Sequence, residues 1–88
     1  MGLRTVELPP ALHFHPNPFT EELSLLAPPE RPLRVDVFGM DGRAHGSYRA
    51  QDGRLQLGHL PGGAYVLRVS DAESGAFWGA QRVVKVGR

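Results

Sequence analysis

The chain has 88 residues, 41% of them hydrophobic and 22% charged, with a formal net charge of +1. This composition is that of one soluble globular domain and excludes a disordered tail. The near-neutral balance, with basic residues spread singly along the chain, argues against a dedicated nucleic-acid or anionic-membrane binder. Cysteine is absent, which excludes disulfides, thiolate zinc sites and cysteine nucleophiles.

No apolar run approaches the roughly 18 residues of a membrane-spanning helix, and no signal-peptide pattern opens the chain. If the protein leaves the cytoplasm, its export signal is expected in a longer precursor. A domain of this length buries only about 60% of the surface its unfolded chain exposes, so modest stability is expected. Arginine supplies nine of the ten basic residues, isoleucine is missing, and Asn17 and Lys85 are the only asparagine and lysine.

In chain order, residues 1–11 read as a linker remnant or an added edge strand, and 12–88 as the domain. The first strand is expected at about 12–15, where His13 and His15 are two apart and so share a face. "HPNPF" follows. Pro16 and Pro18 restrict their own φ and bias the residue before each to extended geometry, so the corner is rigid. Asn17 can hydrogen-bond nearby backbone, and Phe19 is expected to drop into the core.

Apolar and polar residues then alternate with the strand period. Leu23 and Leu25 mark a strand at 21–27, and Leu33, Val35 and Val37 one at 33–39. Further strands are expected at 43–50, at 54–58, at 64–70 around Tyr65, Leu67 and Val69, and at 76–86. In the last, Arg82, Val84 and Val86 lie on one face, and Val83 and Lys85 on the other. "PPERP" at 28–32 cannot continue a ladder. "MDGR" and "QDGR" each carry the Asp-Gly signal of a tight hairpin, "LPGG" at 60–63 is a glycine turn, and "DAESGA" at 71–76 is another hairpin loop. Short strands at this spacing, with no crossover helix between them, predict an all-β, seven-stranded antiparallel immunoglobulin-like β-sandwich.

Taken as an ordered set, "HPNPFTEELSL", "LRVDVFGMDGR", "RLQLGHLPGGAYVLRVS" and the closing "QRVVKVGR" resemble the C-terminal sorting domain of the type IX (Por) secretion system, type A. The resemblance covers residues 13–88. Pro16, Asn17, Pro18 and Phe19 match its opening motif, and Gly42 and Arg43 its turn after the second long strand. Leu60, Pro61, Gly63 and Tyr65 match the motif leading into the penultimate strand, and Val84 and Lys85 match the basic final strand. Asp41 departs from it, standing where an apolar residue is usual, and the tail has one lysine plus Arg88 where a lysine-rich end is usual.

The resemblance implies a non-enzymatic address label, needing no cofactor, at the end of a fused N-terminal cargo. The cargo would cross the periplasm, be carried over the outer membrane by the translocon, and be released or attached at the cell surface after a sortase-like protease removes the label. Arg82, Val84, Lys85 and Arg88 are the expected recognition contacts of the tail, Lys85 and Arg88 being expected to contribute little to the core. A weak homodimer through an exposed edge strand is compatible with this fold.

Other chemistries find less footing. No serine occupies a nucleophile elbow, and Asp36, Asp41, Asp52 and Asp71 show no obvious pairing, so no nucleophile and base can be placed together. His13 and His15, with His45 or His59 as a third ligand, are the candidates for a zinc site. Phe77 and Trp78 are the candidates for the surface of a generic immunoglobulin-like adhesion or carbohydrate-binding module, although one of two adjacent strand residues is expected to face the core.

Overall fold

The computed structural model describes residues 12–25, 30–50 and 52–87. The linker expected at 1–11, the end of the second predicted strand at 26–27 and the tail contact Arg88 lie outside the described residues. Among the described residues seven strands form: β1 (Phe14–His15), β2 (Glu22–Leu25), β3 (Leu33–Gly39), β4 (Ala44–Ala50), β5 (Arg54–Gln56), β6 (Gly63–Asp71) and β7 (Phe77–Lys85). They make a three-stranded sheet, β1-β2-β5, and a four-stranded sheet, β4-β3-β6-β7. All of these strand pairings are antiparallel. The domain is a seven-stranded immunoglobulin-like β-sandwich, as the strand periodicity predicts. No helix among the described residues is long and apolar enough to cross a membrane.

The alternating apolar residues meet between the sheets. Leu23, Leu25 and Leu55 from one sheet face Val35, Val37, Leu67, Val69 and Val83 from the other, and Phe14 and Phe19 fill the space beside them. Most of these side chains are entirely excluded from solvent. At roughly 25 cal/mol per Å² of apolar surface, this layer is the main term opposing chain entropy.

Two bulges adjust the four-stranded sheet. Val37 pairs with Gly46 and Phe38 with Ala44, which leaves His45 as the extra residue. Val69 pairs with Gly79 and Ser70 with Phe77, which leaves Trp78 as the extra residue. Each extra residue is followed by a glycine at positive φ, 130° at Gly46 and 148° at Gly79, a conformation that glycine adopts without strain. The bulges turn both rings: His45 meets Tyr65 edge-on at 5.2 Å between centroids, and Trp78 packs half-buried against the core. Phe77 stays outside, 46% exposed, beneath the Arg68 guanidinium at 4.9 Å.

The two Asp-Gly turns differ from each other. "MDGR" closes the β3–β4 hairpin as expected, with Gly42 at φ 86° and its N–H donating to the Gly39 carbonyl at 3.0 Å. "QDGR" is not a hairpin: it leads from β4 in one sheet to β5 in the other. Gly53 is buried there, and its carbonyl accepts the Leu25 N–H at 2.8 Å, so the glycine anchors a corner between the sheets.

The β6–β7 hairpin corrects a second expectation. Asp71 has partners: its Oδ2 accepts from Arg31 Nη1 at 2.8 Å, and its Oδ1 accepts from the N–H groups of Glu73 and Ser74 at 2.8 and 3.1 Å. The residue is buried, while Arg31 remains 63% exposed. Arg31 and the two loop amides hold the carboxyl well below its ordinary value of 3.8, at about 2. A buried carboxylate with this set of donors organises the loop.

Candidate functional site

The candidate site is built where the first strand gives out. Pro16 and Pro18 lack the N–H that would continue the ladder with β2, and the peptide bonds preceding both are cis. Between them the Asn17 side chain turns to β7. Its Oδ1 accepts the Val84 N–H at 3.0 Å, and its Nδ2 donates to the Arg82 carbonyl at 3.1 Å. The amide thus occupies the place of a neighbouring strand's peptide. Main chain takes over one step later: Phe19 N–H donates to the Val84 carbonyl at 2.9 Å, and Val86 N–H donates to the Phe19 carbonyl at 2.8 Å. Phe19 and Lys85 form a parallel bridge, and the Phe19 ring is buried in the core. The corner therefore carries the chain from one sheet to the edge of the other.

A reciprocal clamp works from β7. Gln81 Oε1 accepts the Phe14 N–H at 2.7 Å, and Gln81 Nε2 donates to the Phe14 carbonyl at 3.0 Å. Two side-chain amides, Asn17 and Gln81, thus tie the chain's first strand region to its last, each giving and accepting one bond. At about 1 kcal/mol net per bond, the four together match the burial of a core side chain. Gln81 is not among the residues matched to the motifs of the resemblance. Its sequence signal is alternation: Gln81 stands two residues before Val83, a polar residue on an inward-facing row, where an amide must find partners.

Lys85 requires a correction. Expected to contribute little to the core, it is 3% exposed. Its Nζ approaches the Val86 carbonyl at 3.4 Å. Alternation places it on the inward row with Val83, and its aliphatic stem packs while the ammonium reaches the rim of the sandwich. The outward residues are Arg82, which is exposed, and Val84, which is 39% exposed.

The "LPGGAY" turn meets the same edge. Leu60 is buried, the Tyr65 hydroxyl donates to the Pro61 carbonyl, and Gly63, at φ 152°, pairs with Lys85. A Cβ added at Gly62 would stand 2.8 Å from the Gly87 carbonyl oxygen. Gly62→Ala is therefore expected to cost roughly 1–3 kcal/mol, read by urea denaturation, and to shift the amide signals of residues 85–87. An unchanged stability would show that the tail yields freely at this point.

The Gly42-Arg43 turn completes the set. Asp41 Oδ1 accepts the Arg43 N–H at 3.0 Å, and this bond holds the carboxyl below its ordinary value. The acidic departure at Asp41 thus has a local structural role, closing the turn. Gly39 pairs with Tyr65, which brings this turn to the same end of the sandwich. Four motifs spread over residues 16 to 85 consequently converge. Asn17, Met40 and Arg82 line a hollow of about 510 Å³ at that end, together with His13, Val66, Ala80 and Gln81.

The rival sites are not assembled in this way. Among the described residues no three His, Asp or Glu side chains are placed to hold a metal ion. His15 is exposed, His45 packs on Tyr65, and His59 Nε2 lies 2.8 Å from the Tyr48 hydroxyl. Phe77 and Trp78 occupy different surroundings and form no common platform. Asp36 accepts from Arg34 and Ser47.

The fold defines the class: an immunoglobulin-like β-sandwich whose first strand region is clamped to its last. No family model, curated protein or solved structure matches the chain.

Proposed function

We propose that this domain is a C-terminal sorting signal of the type IX secretion system, a folded label that directs a fused cargo across the outer membrane. The reading rests on the sequence resemblance. The observation that supports it is the convergence of Pro16–Phe19, Gly42-Arg43, Leu60–Tyr65 and Arg82–Lys85 at one end of the sandwich. Antiparallel pairing brings the ends of β3, β6 and β7 together, and a recognised surface needs its parts gathered in this way. On this reading the rigid corner and β7 form one composite epitope, with Arg82 and Val84 pointing outward and Asn17, Phe19 and Lys85 holding β7 in place. The translocon and the sortase-like protease are the proposed partners, and the route ends at the cell surface or in the medium.

The test is a secretion assay. Residues 12–88 are fused behind a fluorescent protein carrying an inner-membrane export signal and expressed in a host with this system. The intact fusion is expected at the surface or in the medium. Arg82→Glu combined with Val84→Glu, with an unchanged melting temperature, is expected to leave it in the periplasm. Retention of the intact fusion in a host that exports its own cargo would overturn the proposal.

A further inference from the structure

The arginines are scattered along the sequence, yet the fold gathers four of them. Arg34, Arg49, Arg68 and Arg82 stand on the outward rows of the four-stranded sheet, and all are exposed. The carboxylate on these rows is Asp36, which Arg34 and Ser47 already engage. Within the described residues the ion pairs join Arg31 to Asp71 and Arg34 to Asp36, so Arg49, Arg68 and Arg82 face solvent without a carboxylate of their own. Arg34 and Arg49 are direct cross-strand partners. Like charges placed opposite each other oppose sheet pairing, and no ion pair within the described residues engages Arg49.

The surroundings are those of a protein interface. A hollow of about 290 Å³ opens between the two arginines, lined also by Ser47, Tyr48 and Ala72. Half-buried Phe38 and Val66 and exposed Phe77 lie between the charges on the same face. Arginine interleaved with aromatic and aliphatic surface is the composition of a protein-docking patch. A polyphosphate backbone would leave the apolar side chains of Phe38, Val66 and Phe77 uncovered, which disfavours it relative to a segment that carries both carboxylates and apolar side chains.

We propose that the solvent face of the four-stranded sheet docks an acidic segment of a partner protein, with a carboxylate seated between Arg34 and Arg49 and alternate apolar side chains resting on Phe38 and Val66. A carboxylate in that hollow satisfies both guanidinium groups and removes their mutual repulsion. The proposal goes beyond the export reading and does not depend on it, since neither Arg34 nor Arg49 is among the residues matched to the motifs of the resemblance.

The experiment is a nuclear magnetic resonance titration of the ¹⁵N-labelled domain with a short peptide in which glutamate and leucine stand two residues apart with serine between them, so that both face the sheet. Its glutamine-for-glutamate counterpart, oligodeoxythymidine and phosphatidylglycerol vesicles serve as competing probes. Shifts are expected on β3, β4 and β6, with affinity falling as salt rises. Arg34→Glu with Arg49→Glu is expected to weaken binding at least about tenfold, while Arg54→Glu on the three-stranded sheet leaves it unchanged. Arg34→Gln with Arg49→Gln retains the test if charge reversal disturbs folding, since it only removes the opposed charges. No shifts at saturating peptide, equal binding of the glutamine peptide, or tighter binding of the oligonucleotide or vesicles would each overturn the proposal.

Discussion

Phe19→Ala is expected to destabilise the domain by about 3–5 kcal/mol, the usual range for removing a fully buried aromatic side chain. A domain of this size has a total stability of roughly 5–10 kcal/mol, so this one substitution removes a large share of it. The reason lies in what the ring holds. Phe19 is buried beside both sheets, and its own N–H and carbonyl form the two main-chain bonds to β7. With the ring gone, the corner loses its anchor. The Asn17 bonds to Arg82 and Val84 then close a loop with no buried end. Urea denaturation gives the magnitude, and amide hydrogen exchange at Val84 and Val86 gives the location. Phe19→Leu keeps most of the apolar volume and is expected to cost far less. A loss below about 1 kcal/mol for the alanine variant, with Val84 and Val86 still protected, would show that the side-chain amides alone secure the corner.

The second large effect concerns Asp71. Asp71→Asn is expected to lower the melting temperature markedly and to flatten the acid limb of the stability curve. The sign follows from the depressed pKa. The folded carboxyl titrates at about 2 against an ordinary 3.8, so as pH falls the unfolded chain takes up the proton first. The stabilising contribution is therefore complete above about pH 4, the upper end of that interval, and is lost as pH falls towards 2. Removing the charge leaves Arg31 without its partner and weakens acceptance from the Glu73 and Ser74 amides. Melting curves of both proteins between pH 2 and pH 7 check this. Parallel curves down to pH 2 would mean that another carboxyl carries the acid sensitivity.

Both effects fall on residues whose partners are distant in the chain. Arg31 and Asp71 are 40 residues apart, and Asn17 and Val84 are 67 apart. Local pattern carries no information about such pairs. Asp71 reads as the first residue of a hairpin loop; in the structure it is the last residue of β6, paired with Leu33, and the guanidinium that completes its site comes from the segment just before β3. "QDGR" shows the same limit. Its glycine announces a bend, but whether the chain returns to the same sheet or crosses to the other depends on which strand stands free to pair. Lys85 is a different case, because alternation already places it on the inward row with Val83, and its charge does not move it off that row.

What the sequence alone determined is the strand set and its two faces. Leu33, Val35 and Val37, and Tyr65, Leu67 and Val69, recur with period two. That period matches one geometry, a pleated strand with one side in the core. The prolines at 16 and 18 and the Asp-Gly at 41–42 also declared their bends, because their backbone constraints are local. The tertiary structure alone decided which ends meet. It brought Asn17 and Gln81 into reciprocal clamps and collected four arginines, each isolated in the sequence, on one solvent face. Sheet order and register, set by the burial of the whole core, determine these neighbours, and no short stretch of the chain contains that information.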